Sequence, residues 1–149
     1  MRVVVGIGSP LRGDDYVGPY VAKRVRFSKG IDAGTAPEIV IPVVRRMRPE
    51  EIVFVDAALM GLSPGEIRIL EPHELVPGMV TTHSIPMGML LEMLDDLASA
   101  VTVIGVQPKT FVGYMRLSSP VREAARRLIE MLDSGDYRSI PRLRAGPPI

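Results

Sequence analysis

The first twenty residues, MRVVVGIGSPLRGDDYVGPY, constrain the fold of this chain more than any other segment. A short apolar strand, Val3 to Val5, runs directly into Gly6-Ile7-Gly8, and the acidic pair Asp14-Asp15 follows where a helical pattern begins. Proteins of the α/β class present functional groups in this way, at the carboxyl ends of their strands. We therefore predict an α/β fold with a functional site at that edge of its sheet.

The acidic pair also limits the chemistry of this site. A phosphate-binding loop offers backbone N–H groups and a positive helix end to an anion, which two carboxylates would repel. Gly6-x-Gly8 begins like a dinucleotide fingerprint, but Leu11 stands where the next glycine is needed. A cation site or proton-transfer chemistry is therefore favoured over nucleotide binding. One aspartate is explained as a helix N-cap. We assign Asp14 to the cap and Asp15 to the site, and the reverse order stays open.

Two further segments place polar side chains at the boundaries of predicted elements. Asp56 directly follows the apolar strand residues 52–55, and His83 lies between Thr82 and Ser84 where a helical pattern starts. A turn cap is the alternative explanation for Asp56, and a cap or a loop histidine is the alternative for His83. A buried carboxylate needs a compensating partner. Together with Asp15, the set is typical of a hard-cation or hydrolytic site.

Strand and helix patterns alternate along the chain. Strands are predicted near residues 2–7, 30–35, 52–56, 66–70 and 101–106, and helices near 15–26, 85–98 and 119–133. Residues 37–48 are ambiguous, because prolines interrupt their apolar runs. This alternation predicts a mostly parallel sheet with helices on both faces. We expect a single domain over 1–149, with the segment 134–149, rich in Pro, Gly and Arg, as a tail.

Composition excludes several classes of function. A net charge of +1 argues against a nucleic-acid-binding protein, which would show a basic stripe. The chain has no cysteine, which excludes disulfides, thiolate zinc sites and cysteine nucleophiles. Neither a secretory signal pattern nor an apolar run of ~20 residues is present. We expect a soluble cytoplasmic protein that has no membrane or nucleic-acid partner and acts as a monomer.

The polar segments together resemble the [NiFe]-hydrogenase maturation endopeptidases. The resemblance is carried, in order, by GIGSPLRGDDYVGP at 6–19, DAGTAP at 32–37, VDA at 55–57, GLSPGEI at 61–67, TTHSIP at 81–86 and IGVQP at 104–108. It covers the chain up to the last helix. The TTH and IGVQP segments are most similar to the subgroup that serves formate-hydrogenlyase-type hydrogenases. The chain departs from the usual family residues at Ser9, Tyr16 and Ala33.

The resemblance implies a fold, an activity and a set of site residues. The fold would be a three-layer α/β/α sandwich around a small, mostly parallel twisted sheet. The activity would be removal of a short C-terminal extension from the nickel-loaded precursor of a hydrogenase large subunit. Asp15, Asp56 and His83 would be both the catalytic and the metal-contacting residues. No permanently bound cofactor is implied, since the substrate supplies the nickel and the site binds it transiently.

The same resemblance gives the second glycine-containing segment a role in binding substrate. It implies that Asp32, Gly34 and Thr35 position the tail of the precursor. Two other functions would use the same three metal-contacting residues. One is a hydrolase of a small amide or peptide with a resident zinc or manganese ion, and the other is a nickel-sensing chaperone that binds the precursor without cutting it.

Overall fold

The fold was analysed in a computed structural model that describes residues 1–70, 94–97 and 100–143. Within these ranges the strands are β1 (Arg2–Gly6), β2 (Lys29–Asp32), β3 (Glu51–Ala57), β4 (Ile67–Leu70) and β5 (Ala100–Val106). They form one sheet in the order β2-β1-β3-β5-β4. The helices are α1 (Val17–Ala22), α2 (Ile41–Met47) and α3 (Ser119–Ser134). The prediction of a central apolar strand over 52–56 is confirmed.

The sheet is parallel except at one edge. β1 pairs in parallel with β2 and β3, and β3 pairs in parallel with β5. β4 lies antiparallel to β5 and forms the edge. The carboxyl ends of the four parallel strands therefore meet at one edge of the sheet, which is where α/β folds place their sites.

Alternating residues of the central strands feed two separate apolar cores. Val4, Val53 and Val55 point to one face, where α1 and α3 cover them. Val3, Ile52 and Phe54 are among those on the opposite face, which packs against α2 and Leu94. Since successive side chains of a strand point to opposite faces, strands covered on both sides are apolar almost throughout. The predicted three-layer α/β/α sandwich around a mostly parallel sheet is confirmed. None of the helices in the described ranges combines the length and apolar character that spanning a bilayer requires.

The first helix is shorter than the 15–26 that its valine spacing predicts. A 3₁₀ turn, Gly13–Tyr16, precedes α1, which ends at Ala22. Beyond it, the backbone N–H groups of Arg26 and Phe27 donate to the Asp133 carboxylate at 2.8 and 3.3 Å, instead of continuing the helix. The chain turns there to enter β2, so tertiary contacts end this helix early.

The next two outcomes concern the ambiguous segment 37–48 and the predicted helix over 85–98. The ambiguous segment 37–48 contains a 3₁₀ turn, Pro37–Ile39, followed by α2, with a proline in the first turn of the helix, where it is tolerated. The predicted helix over 85–98 lies outside the described residues, except for a turn at Leu94–Leu97.

The prediction of a tail over 134–149 is wrong for the part that follows α3. A 3₁₀ turn, Asp136–Ser139, buries Tyr137, and Ile140 is buried as well. The N–H of Ile69 donates to the carbonyl of Pro141 at 2.9 Å, and the N–H of Leu143 donates to the carbonyl of Ile69 at 2.8 Å. The segment therefore covers the open edge of β4, whose unpaired backbone groups would otherwise invite association with another chain. Residues 144–149 lie outside the described ranges.

A charged network joins the sheet to this segment at the amino ends of the strands. Arg2 Nε donates to Glu51 at 2.7 Å, Arg138 also pairs with Glu51, and Arg2 Nη1 donates to the carbonyl of Leu132 at 2.6 Å. Partial burial favours the neutral form of Glu51. The hydrogen bond from Arg2 and the two guanidinium charges outweigh it and lower the pKa of Glu51 below its ordinary value.

We expect Glu51→Gln to destabilise the protein by about 1 kcal/mol at pH 7, a typical value for a partly exposed charged pair. A carboxyl with a lowered pKa in the folded state contributes stability above its unfolded pKa of about 4.3. That contribution disappears as the pH falls through the lower folded value. Urea unfolding from pH 7 to pH 3 should show that the difference in stability between the two proteins becomes smaller as the pH falls below about 4.3.

The adjacent Glu50 provides the control for this prediction, since its side chain is 88% exposed and lies 3.8 Å from the terminal amine. Glu50→Gln should have the same urea midpoint as the wild type at each pH from 7 to 3. A Glu51→Gln deficit as large at pH 3 as at pH 7 would show that packing, rather than charge, accounts for the loss.

Candidate functional site

Two glycines in the first loop of the chain lie where another backbone segment packs directly against them. A Cβ on Gly6 would lie 2.2 Å from the carbonyl oxygen of Gly18, so β1 and α1 pack together with no room for a side chain. Gly8 has a φ of 155°, and its Cβ would lie 1.8 Å from the carbonyl oxygen of Asp15. The backbone of Asp15 is thereby placed directly over the end of β1.

Asp15 is fully buried in the 3₁₀ turn that precedes α1. Its Oδ2 accepts a hydrogen bond of 2.9 Å from the N–H of Ser9. The carboxylate is therefore oriented by the backbone of the loop that follows β1.

Asp56 lies beside this loop at the carboxyl end of β3. Its side chain is 1% exposed. The N–H of Ile7 donates to the carbonyl of Val55 at 2.9 Å, and the 3₁₀ turn holding Asp15 packs against β3. The structure thus brings Asp15 and Asp56 to the same edge of the sheet and buries both. Two buried carboxylates at one edge are groups that could contribute oxygen ligands to a cation.

Asp14 has a different role from the helix cap predicted for it. The 3₁₀ turn shows no side-chain cap hydrogen bond. Instead, Asp14 Oδ2 accepts from the N–H groups of Lys109 and Thr110 at 2.8 and 3.1 Å. Ser118 donates both its N–H and its hydroxyl to the same carboxylate, each at 2.7 Å. Asp14 therefore ties the segment after β5 to the first loop, and its bonding capacity is used structurally.

The predicted substrate-binding turn lies next to the same loop. Asp32 ends β2, and its Oδ1 accepts from the N–H of Gly34 at 2.9 Å. Gly34, at φ 55°, accepts a hydrogen bond of 2.8 Å from the N–H of Gly8. Asp32 and Thr35 are both exposed. The structure therefore places this turn against the loop that holds Asp15.

A lysine links this turn to α1. Lys23 Nζ lies 3.3 Å from Asp32 Oδ2 and donates to the Tyr16 hydroxyl at 3.0 Å. The Tyr16 hydroxyl, followed by Asp32, raises the pKa of Lys23 above its ordinary value. Tyr16, one of the departures from the family pattern, thus helps to fix the lysine that faces Asp32.

His83 lies outside the described residues, so its relation to Asp15 and Asp56 stays a prediction. Within the ranges that the structure describes, no cluster of three or more His, Cys, Asp or Glu side chains could hold a metal ion.

Gln107 is a positioning residue to which the sequence analysis gave no role. It is 8% exposed, and its Oε1 accepts from the N–H groups of Met60 and Leu62 at 2.7 and 3.3 Å. These residues belong to the loop that leaves β3 after Asp56. The signal in the sequence was a carboxamide between a buried strand and Pro108, where a polar side chain needs a partner.

Comparisons with known proteins agree with this architecture. The family model described as hydrogenase maturation protease matches residues 17–134. The hydrogenase 3 maturation protease of Escherichia coli is 35% identical over 137 residues, which cover 88% of each chain. The solution structure of the endopeptidase HycI from Escherichia coli superposes with a TM-score of 0.86 at 30% identity, covering 99% of both chains. A [NiFe] hydrogenase maturation protease HycI from Thermococcus kodakarensis has a TM-score of 0.77 at 28% identity, over 93% of this chain and 92% of that one.

The fold is thus that of a peptide hydrolase of the hydrogenase-maturation type. The chain belongs to the hydrogenase maturation protease family, and it is an endopeptidase. The family predicted from the sequence is confirmed.

Proposed function

We propose that this endopeptidase removes a short C-terminal extension from the precursor of a [NiFe]-hydrogenase large subunit after nickel has been inserted. The observation that carries the proposal is the burial of Asp15 and Asp56 at one edge of the sheet, in a chain of this family. In this proposal the reaction takes place in the cytoplasm, and the enzyme acts as a monomer. The absence of cysteine is compatible with a reducing compartment.

The proposed metal contacts are Asp15, Asp56 and His83. Carboxylate oxygens and an imidazole nitrogen are suitable ligands for a divalent transition metal. Three protein ligands leave coordination positions open for groups of the substrate. The enzyme therefore has no resident cofactor in this proposal, and it engages the nickel that the precursor carries. Productive docking would then depend on the nickel, which makes cleavage a check on its insertion.

In the proposed reaction, water attacks the scissile carbonyl without a covalent enzyme intermediate. A buried carboxylate at the site accepts the proton of the attacking water and returns a proton to the leaving amine. The nickel of the precursor would supply charge stabilisation to the developing oxyanion. Since the chain has no cysteine, a thiol nucleophile is excluded.

The turn formed by Asp32, Gly34 and Thr35 would hold the tail of the precursor. One carboxylate oxygen of Asp32 accepts from Gly34 and the other lies close to Lys23, so this side chain shapes the turn. Thr35 is exposed beside the site loop and would make the direct contact with the peptide.

Cleavage of the cognate large-subunit precursor, prepared with and without nickel, tests the proposal. Mass spectrometry should detect a released C-terminal peptide only from the nickel-loaded form. Cleavage of both forms would contradict the dependence on nickel. Chelator-sensitive cleavage of unrelated peptides, with stoichiometric metal in the purified enzyme, would instead favour the resident-metal hydrolase. Complex formation without release of a peptide would favour the chaperone.

A further inference from the structure

Four apolar side chains are exposed on two loops next to the candidate site. Leu11 is 70% exposed, Val112 81%, Tyr114 69% and Met115 48%. We call these four residues the apolar patch. Single exposed apolar side chains are ordinary on protein surfaces, whereas several on adjoining loops mark an interaction site.

Backbone hydrogen bonds hold the two loops together as one surface. The N–H of Met115 donates to the carbonyl of Pro10 at 2.6 Å, and the N–H of Gly13 donates to the carbonyl of Gly113 at 2.8 Å. Met115 has a φ of 49°, which is unusual for a residue other than glycine. The apolar side chains are therefore displayed on a fixed framework, which lowers the entropic cost of binding a partner.

The segments that carry the apolar patch also carry exposed basic residues. These are Arg12, Lys109 and Arg116. The segments 9–13 and 109–118 contain no Asp or Glu, and the guanidinium of Arg12 lies 4.9 Å from the centre of the Phe111 ring. An apolar centre with a basic rim is complementary to a protein surface with an apolar centre and an acidic rim.

The apolar patch is continuous with the candidate active site. Ser9, at the start of the first loop, donates its N–H to Asp15, and Asp14 binds the backbone of Lys109 and Thr110. A substrate whose peptide bond lies near Asp15 would therefore extend over these loops.

We propose that the apolar patch and its basic rim dock the folded body of the large-subunit precursor, through an acid-rimmed apolar surface beside the extension to be removed. This inference rests on the proposed function. Contacts remote from the scissile bond allow a protease to select one protein among many that contain a similar peptide. The apolar side chains would supply most of the affinity, and the basic rim would supply orientation and the rate of association.

Binding of a nickel-loaded precursor whose scissile bond is blocked by a substitution in the precursor tests this proposal directly. In an otherwise unchanged enzyme, the double variant Val112→Ser/Tyr114→Ser should raise the Kd at least about 10-fold, measured by biolayer interferometry. The matched control is Phe27→Ser. Phe27 is 77% exposed but lies beside Asp133, near the end of α3. An unchanged Kd for the double variant, or an equal effect of Phe27→Ser, would overturn the proposal.

Charge reversal provides a second test of the docking surface. Lys109→Glu should weaken binding about 10-fold and reduce its dependence on salt. Lys29→Glu is the control and should leave binding unchanged, because Lys29 lies at the amino end of β2, whereas the candidate site lies at the carboxyl ends of the strands. If the double variant instead abolished self-association, measured by sedimentation, and left the Kd unchanged, the patch would be a contact between copies of this chain and the proposal would be wrong.

Wild-type cleavage separates this proposal from the proposed function. Release of the extension by the wild type, with normal processing by the double variant at low substrate concentration, would contradict the docking surface alone. If the wild type released no extension, the proposed function itself would be contradicted.

Discussion

Asp56→Asn should lower the rate of precursor cleavage by at least about 100-fold while the protein stays folded. Asparagine has nearly the same shape as aspartate, but it carries no charge and accepts no proton. Removal of a general base typically lowers the rate by about 10²–10⁴-fold. The measurement is the rate of peptide release by mass spectrometry, with circular dichroism and a urea titration on the same sample.

Asp15→Asn should lower the rate of precursor cleavage to a similar extent, since both buried carboxylates lie at the same edge of the sheet.

Asp136→Asn is the matched control for this result. Asp136 is exposed and begins the 3₁₀ turn whose Arg138 pairs with Glu51, at the amino end of β3 and far from Asp56. The same chemical change there should leave cleavage unaffected. Normal cleavage by Asp56→Asn would remove Asp56 from the reaction and leave it a purely structural acid at the end of its strand.

Asp14→Ala should destabilise the protein by about 3–5 kcal/mol, the typical loss when a buried charge network is broken. The substitution leaves three backbone N–H groups and the Ser118 hydroxyl without their acceptor. For a chain of this length, such a loss corresponds to a melting temperature lower by on the order of 10 °C. Urea unfolding at pH 7 measures it.

The exposed Asp95 serves as the comparison for Asp14, because its carboxylate lies at the surface. Asp95→Ala should change the free energy of unfolding by no more than about 0.5 kcal/mol, as is usual for surface substitutions. Equal midpoints for Asp14→Ala and the wild type would mean that water replaces the lost acceptor, so that the carboxylate contributes little to stability.

Predictions from local pattern succeeded where one kind of residue dominates a segment. The β3 strand is apolar almost throughout and was placed correctly at the centre of the sheet. The periodic apolar face of α3 likewise predicted a helix, and its observed bounds differ from the predicted ones by one residue at the end. In both cases burial of apolar area, the largest favourable term in folding, acts in the direction that the sequence pattern indicates.

Predictions from the sequence were wrong where a backbone group or a polar side chain forms its hydrogen bonds with residues far away in the chain. The helix predicted to reach Arg26 stops at Ala22, and Asp133, more than a hundred residues away, binds the N–H groups that follow. Asp14 was assigned to a local cap, but its four donors lie in the segment after β5. No local spacing rule can indicate such partners, since they are brought close only by the order of the strands.

The sequence by itself determined the family, through the order of its polar segments, and the layering of helices on both faces of a sheet, through its apolar periodicity. It also predicted the acidic residues of the candidate site, because polar residues at strand ends are a local property. The tertiary structure decided which of two adjacent aspartates is structural, how Gln107 fixes the loop after Asp56, and that residues 136–143 cover an edge strand. The physical reason is that hydrogen bonds and open sheet edges are satisfied by whichever groups the fold brings near. Those groups come from segments that are far apart in the chain.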